Sequence, residues 1–185
     1  MRPLLLIASI ILAIAITVIT ISSTDAESRV PMKVQYHHLS AEAKKQATCL
    51  AENVYFEAGH ENKEGQLAVA MVTLNRVASP DFPNTICEVV HQKNDGMCQF
   101  SWLCMPSFTS RRSSIKDTEL YKEVRELAVF SMMNYETIDD MTHGALFYHA
   151  DYVNPGWKLT VTKKIGAHIF YKRYKEIKLK REYTI

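Results

Sequence analysis

Residues 54–61 read VYFEAGHE, and Glu57 falls on the same helical stripe as Ala43, Ala47, Leu50 and Val54. At ~100° per residue, these steps of four and three residues share one face. A carboxyl held against apolar neighbours has its ionised form disfavoured, so its pKa rises. A glutamic acid in that state stays protonated near neutral pH and serves as a general acid. The structural alternative is a buried glutamate paired with a cation such as Arg76. The nearby acids Glu52, Glu61 and Glu64 read as solvated or first-turn residues.

Other chemistries find less support. His143, His149 and Asp151 lie close together, but their spacing is not that of a helical H-E-x-x-H zinc site. His149 reads instead as a cleft hydrogen-bonder or a satisfied histidine. The chain has no C-x-x-C pair, no G-x-S-x-G and no phosphate-cradling glycine loop. Neither a metal nor any other cofactor is expected.

The elements that must position Glu57 are legible from spacing. Ser40 is placed to cap a first helix that runs to a stop at Gly59. A second helix starts near residues 62–64 and ends at Ser79-Pro80; its LAVAMV stretch is apolar nearly all round and should be the buried central helix. TICEVVHQ reads as a short helix, NDG as a turn, MCQFSWLC as strand-like and MPSFTSRRSS as an irregular loop. Asp117 is placed to cap a third helix carrying Leu120, Val124, Leu127, Ala128 and Ser131. ALFYHADYV reads as a strand, and the segment from KIGAHIF onward starts strand-like and turns basic. Helices early and short strands late make an α+β domain.

The chain opens with Arg2 and an uncharged, mostly apolar run to Ser23, followed by small residues at Thr24 and Ala26. This is a signal peptide over residues 1–26 or an uncleaved anchor through residues 3–23, since about 20 apolar residues can span a bilayer. Either places the rest outside the cytoplasm: periplasm, envelope or extracellular space. Residues 27–39 read as a linker and 40–185 as the functional domain. Cys49, Cys87, Cys98 and Cys104 then meet an oxidising compartment, where two disulfides are possible and three pairings stay open. With 22 basic and 20 acidic residues, the balance does not suggest a nucleic-acid binder. Residues 158–181 are strongly basic, which suits either an anionic polymer, a membrane surface or a solvated face.

Several ordered blocks carry a family resemblance. CLAENVYFEAGHENKEGQLAVAMVTLNRVASPDFPNTICEVV, then CQFSWLC, then GALFYHADYVNPGW together resemble the SleB/CwlJ-type cell wall hydrolases over residues 47–171. The family pattern runs Y-x-E-A, E-G-Q-x-A-V-A, L-N-R-V, C-Q-F-S-W and G-A-x-x-Y-H-A. The resemblance implies a mainly helical, lysozyme-like domain with a small β portion. It implies cleavage of the β-1,4 bond between N-acetylmuramic acid and N-acetylglucosamine in peptidoglycan glycan strands, with Glu57 as catalytic acid. The chain departs from the family where Gly59-His60 stands in place of an arginine after E-A, and where Met105 follows CQFSWLC.

A glycosidase that hydrolyses normally needs two carboxyl groups, whereas a lytic transglycosylase manages with one. Only Glu57 is strongly placed, which favours the transglycosylase; Asp151 and Glu64 are the candidates for a second carboxylate. Gln99, Ser101, Tyr148 and His149 supply the neutral donors and acceptors that sugars need. Trp102 and Trp157 are candidates to stack on pyranose faces or to pack. Gln66, Asn75 and Arg76 are expected behind the site, with Arg76 bracing Glu57. The alternatives are an N-acetylmuramoyl-L-alanine amidase, which would want a metal, and a catalytically silent wall-binding module.

Overall fold

A computed structural model of the chain describes residues 33–173. The apolar leader, the first part of the linker and the basic end of the tail lie outside the described residues. Within them the architecture is α+β, as the spacing predicts, and mainly helical, as the family resemblance implies.

Helix α1 (Ala41–Ala58) begins at Ser40, whose side chain accepts from the Ala43 amide. Helix α2 (Lys63–Val77) begins at Asn62, which caps the Gly65 amide, with Glu64 in the first turn. A short helix α3 (Ile86–His91) is capped by Thr85. The two-residue strands β1 (Lys93–Asn94) and β2 (Met97–Cys98) pair antiparallel across Asp95-Gly96, both at positive φ. The NDG signal is therefore the hairpin turn it resembles.

CQFSWLC departs from its strand-like reading: pairing stops at Cys98, and residues Ser101–Cys104 form a 3-10 turn. Its aromatics pack inward from that turn instead of alternating across a sheet. The following loop holds a four-residue helix α4 (Pro106–Thr109), with proline at its first position, where the missing N–H costs nothing. Helix α5 (Glu119–Met133) is capped by Thr118 rather than Asp117, the threonine oxygen accepting from the Tyr121 amide.

Strands β3 (Phe147–Ala150), β4 (Thr160–Ile165) and β5 (His168–Lys172) form an antiparallel sheet in the order β3-β5-β4. Tyr148 lies opposite Phe170 and His149 opposite Ile169.

Helix α1 packs against α2, α3 and α5. The main core joins Leu50 and Val54 of α1 to Val69, Met71, Val90, Tyr121 and Val124. Each such side chain contributes roughly 1.5–3 kcal/mol by leaving water. A second cluster fastens the sheet to α2 through Ala68, Val72, Ala145, Ile165 and Phe170. Residues 63–77 are thus the central helix, buried from Gly65 almost without interruption to Arg76. In the described part of the N-terminal lead-in, Val34, Tyr36 and Leu39 pack with Ala47 and Val129.

The cysteine pairing is resolved as Cys49–Cys87 and Cys98–Cys104. The first ties α1 to α3, and the second closes the small hairpin onto its 3-10 turn.

Candidate active site

Helix α1 is enclosed on more sides than one stripe. Glu52, Asn53 and Ala51 are buried along with Ala47, Leu50 and Val54. Glu52 is a correction to the sequence reading, being 3% exposed rather than solvated. Arg112 reaches it with Nη2 and with Nε at 3.0 Å, and Lys116 approaches at 3.8 Å. Asn53 accepts from the Trp102 indole N–H at 3.2 Å and donates to Thr73 at 3.2 Å. Two inward polar residues of α1 are therefore structural.

Glu57 differs. It stands in the last turn of α1, half-buried, and the Tyr148 hydroxyl donates to its Oε2 at 3.1 Å. Burial pushes its pKa above the usual carboxylate range; the Tyr148 hydrogen bond and the Arg76 charge pull it down only in part. Burial also raises the Tyr148 phenol well above its ordinary value, with the adjacent Glu57 adding to the rise. The phenol therefore stays protonated and acts as a donor.

Arg76 is 3% exposed, and its Nε donates to the Leu146 carbonyl at 2.7 Å. The rings of Phe82, Phe100 and Phe147 lie 5.2, 5.4 and 5.9 Å from its guanidinium carbon. Burial lowers its pKa, and the neighbouring Tyr148 and Glu57 counter that. Arg76 thus fixes the backbone just ahead of Tyr148 and lies close enough for its charge to act on Glu57, whereas His60 is exposed.

Asn75 performs the companion task. Its Nδ2 donates to Asp140 at 2.9 Å and to the Ala145 carbonyl at 3.2 Å, while Tyr135 donates to its Oδ1 at 2.8 Å. The L-N-R block of α2 accordingly clamps the loop that delivers β3 to Glu57. Gln66 donates to the Gly59 and Glu61 carbonyls, both at 3.2 Å, and so holds the corner that follows Glu57.

The remaining site expectations divide. Tyr148 is brought to Glu57. His149, next to it on β3, faces the other side of the sheet, where its Nε2 meets Tyr171 Oη at 2.7 Å and its ring packs on Trp157. Adjacent strand residues cannot share a face, which is why the Y-H pair separates. Gln99 and Ser101 sit at the β2 exit with no described contact to Glu57; Gln99 donates its amide to the Gln92 carbonyl at 2.9 Å. Trp102 is corrected from sugar platform to core: it is 2% exposed, stacked on Phe56 at 4.6 Å and covered by Arg112 at 5.6 Å.

The two candidates for a second carboxylate are also accounted for. Asp151 pairs with Lys164 at 2.9 Å, and that partner lowers its pKa. Glu64 is exposed in the first turn of α2. Glu61, read from sequence as solvated, accepts from the Ala167 amide at 3.0 Å and lies against the β4–β5 turn. A Cβ at Gly166 would collide with that carboxylate, and Gly166 also needs its positive φ. This contact joins residues 106 apart in sequence, so no local pattern could have announced it. Among the described residues no His, Cys, Asp and Glu side chains cluster in a way that could hold a metal ion.

This mainly helical α+β domain sets one raised-pKa carboxyl beside a tyrosine hydroxyl and within reach of an arginine charge, which makes it a candidate acid–base site. A family profile described as Cell Wall Hydrolase matches residues 60–171, and the chain belongs to that family. The match starts three residues after Glu57. The spore cortex-lytic enzyme of Bacillus cereus is 34% identical over 126 residues, covering 66% of this chain and 42% of that protein. Its counterpart in Bacillus subtilis strain 168 is 32% identical over 128 residues, covering 65% of this chain and 35% of the relative. The chain therefore matches less than half the length of these curated relatives. Among solved structures, the catalytic domain of the germination-specific lytic transglycosylase SleB from Bacillus anthracis superposes with a TM-score of 0.53 at 29% identity. That similarity covers 73% of this chain and 98% of the other. The SleB catalytic domain from B. cereus gives 0.50 at 28% identity.

Proposed function

We propose that this chain is a lytic transglycosylase that cleaves the β-1,4 bond between N-acetylmuramic acid and N-acetylglucosamine in peptidoglycan, with Glu57 as acid and then base. The observation that carries this reading is the isolation of Glu57. It is a carboxyl raised by burial and held by a neutral donor, while Glu52, Glu61, Asp140 and Asp151 are each engaged by other partners. The solved SleB domain, described as a lytic transglycosylase, supports the reaction class.

In this mechanism the Glu57 acid protonates the glycosidic oxygen, and the C–O bond breaks toward the leaving sugar. The muramic acid C6 hydroxyl attacks C1 and forms the 1,6-anhydro ring, and its proton passes to the Glu57 carboxylate. The acid form is regenerated with no water consumed and with a tethered nucleophile, which lowers the entropic barrier. Tyr148 holds the carboxylate oriented through both halves, and Arg76 stabilises its ionised interval.

The substrate reading requires an exported domain, with residues 1–26 serving as signal or anchor and residues 40–185 as the catalytic domain. Clearing of purified peptidoglycan suspensions by the full chain, compared with its Glu57→Gln variant, tests the assignment. Loss of clearing in a folded variant is the expected result; undiminished clearing would refute it.

A further inference from the structure

The two tryptophans sit in opposite environments. Trp102 has Phe56 lying nearly parallel on it, at an interplanar angle of 28°, with the Arg112 guanidinium over its ring. Trp157 is 42% exposed. Its described aromatic neighbours, Phe147, His149 and Tyr171, meet it at 65°, 78° and 84°, so none of them is stacked flat on the indole.

Those three neighbours also hold it from two strands. Tyr171 and His149 are stacked on each other at 5.1 Å and joined by the 2.7 Å hydrogen bond, making a rigid wall on the outer face of the sheet. Phe147 carries the Arg76 guanidinium on one side of its environment and that of Arg173 at 5.4 Å. An exposed indole already in contact with three aromatic rings has less rotamer freedom to lose when a ligand arrives, which lowers the cost of binding.

The position matters as much as the exposure. Phe147 and His149 flank Tyr148 in β3, so one strand carries the Glu57 contact on one face and the Trp157 bracing on the other. The platform and the acid therefore lie on opposite faces of β3. A single sugar cannot occupy both places, but a polymer of sugars can cross the edge of β3, which is an outer strand of its sheet.

We infer that Trp157 is the stacking platform of a second saccharide site, taking a pyranose of the glycan strand away from the bond that is cut. The occupant is an N-acetylated hexosamine chain, whose ring C–H bonds present an apolar face to the indole. This inference rests on the peptidoglycan reading of the Glu57 site, and its test separates the two.

The test uses the full chain carrying Glu57→Gln, so that binding is read without cleavage. The probe is soluble, uncross-linked peptidoglycan glycan strands, followed by tryptophan emission and by co-sedimentation with insoluble sacculi. The Glu57→Gln protein should show a saturable emission change. Adding Trp157→Ala should abolish that change and weaken binding by about tenfold, the scale of one lost aromatic contact. Adding Trp157→Tyr instead should also abolish the emission change, yet keep affinity within about threefold because an aromatic face remains.

Unchanged affinity in the alanine variant, or an emission change that persists without Trp157, would overturn the platform. If wild-type protein releases glycan fragments normally in that case, the catalytic reading survives alone. If strands bind through Trp157 but wild-type protein cleaves nothing, the catalytic reading fails and the platform stands.

Discussion

The Tyr148 hydroxyl donates to Glu57 Oε2 across 3.1 Å, closing a contact between residues 91 apart in sequence. It joins the end of α1 to β3, and each partner depends on the other for its state. Burial favours the neutral carboxyl, and the phenol opposes that by stabilising the carboxylate.

Removing the hydroxyl has a defined sign. Tyr148→Phe deletes a bond that lowers the Glu57 pKa, so that pKa rises further. A general acid must start protonated, and activity falls as pH climbs through its pKa. The alkaline limb of the pH–rate profile should therefore move to higher pH in Tyr148→Phe. An unmoved limb would show that another group controls it.

Glu57→Gln separates function from stability. The rate of glycan release should fall by roughly 10²–10⁴, the usual worth of a positioned acid. Stability should change in the opposite direction. A folded-state pKa raised above the unfolded value destabilises the fold as pH rises through the folded pKa, because ionising the buried group is costly. The amide removes that penalty. Melting temperatures should be higher for Glu57→Gln than for wild type at neutral pH, and the gap should close under acid conditions where Glu57 is neutral in both states.

Glu52 is the structural counterpart on the same helix. Glu52→Ala strips Arg112 and Lys116 of their buried partner. A fully buried pair broken this way costs roughly 3–5 kcal/mol; Arg112 is one-third exposed and can turn to water, so about 2–3 kcal/mol is expected. Urea unfolding should report that loss, while residual activity per folded molecule stays close to wild type.

The disulfides should differ in weight. Cys49–Cys87 spans 38 residues and Cys98–Cys104 spans six. Loop-closure entropy assigns about 4 kcal/mol to the first and about 2 kcal/mol to the second. Paired Cys→Ala replacements, compared by denaturant midpoint, should preserve that order.

Helix spacing made α1, α2 and α5 legible, and it also drew attention to Glu57. What spacing underestimated was how many sides of α1 are covered, so Glu52 looked solvated when its partners lie 60 and 64 residues downstream in an irregular segment. CQFSWLC misled because aromatic content favours strands in general, while a disulfide between its ends enforces a turn here. Trp102 and Trp157 were equivalent as letters, and only burial distinguishes them. His149 beside Tyr148 looked like a second site group until the alternation of β3 placed it on the opposite face. Glu61 against the β4–β5 turn, like the Tyr148–Glu57 bond itself, arises from tertiary packing that no local pattern encodes.

The chemistry of the released ends tests the central claim most directly. Purified peptidoglycan digested by the full chain should yield fragments whose muramic acid ends are 1,6-anhydro, 18 mass units lighter than reducing ends, because loss of one water corresponds to attack by the sugar's own hydroxyl. Mass spectrometry of the soluble products reads this without ambiguity. Anhydro ends from wild-type protein, absent with Glu57→Gln, are the predicted result. Reducing ends would mean that water is the nucleophile and that a second carboxylate assists, and intact glycan strands with freed stem peptides would mean that a different bond is cut.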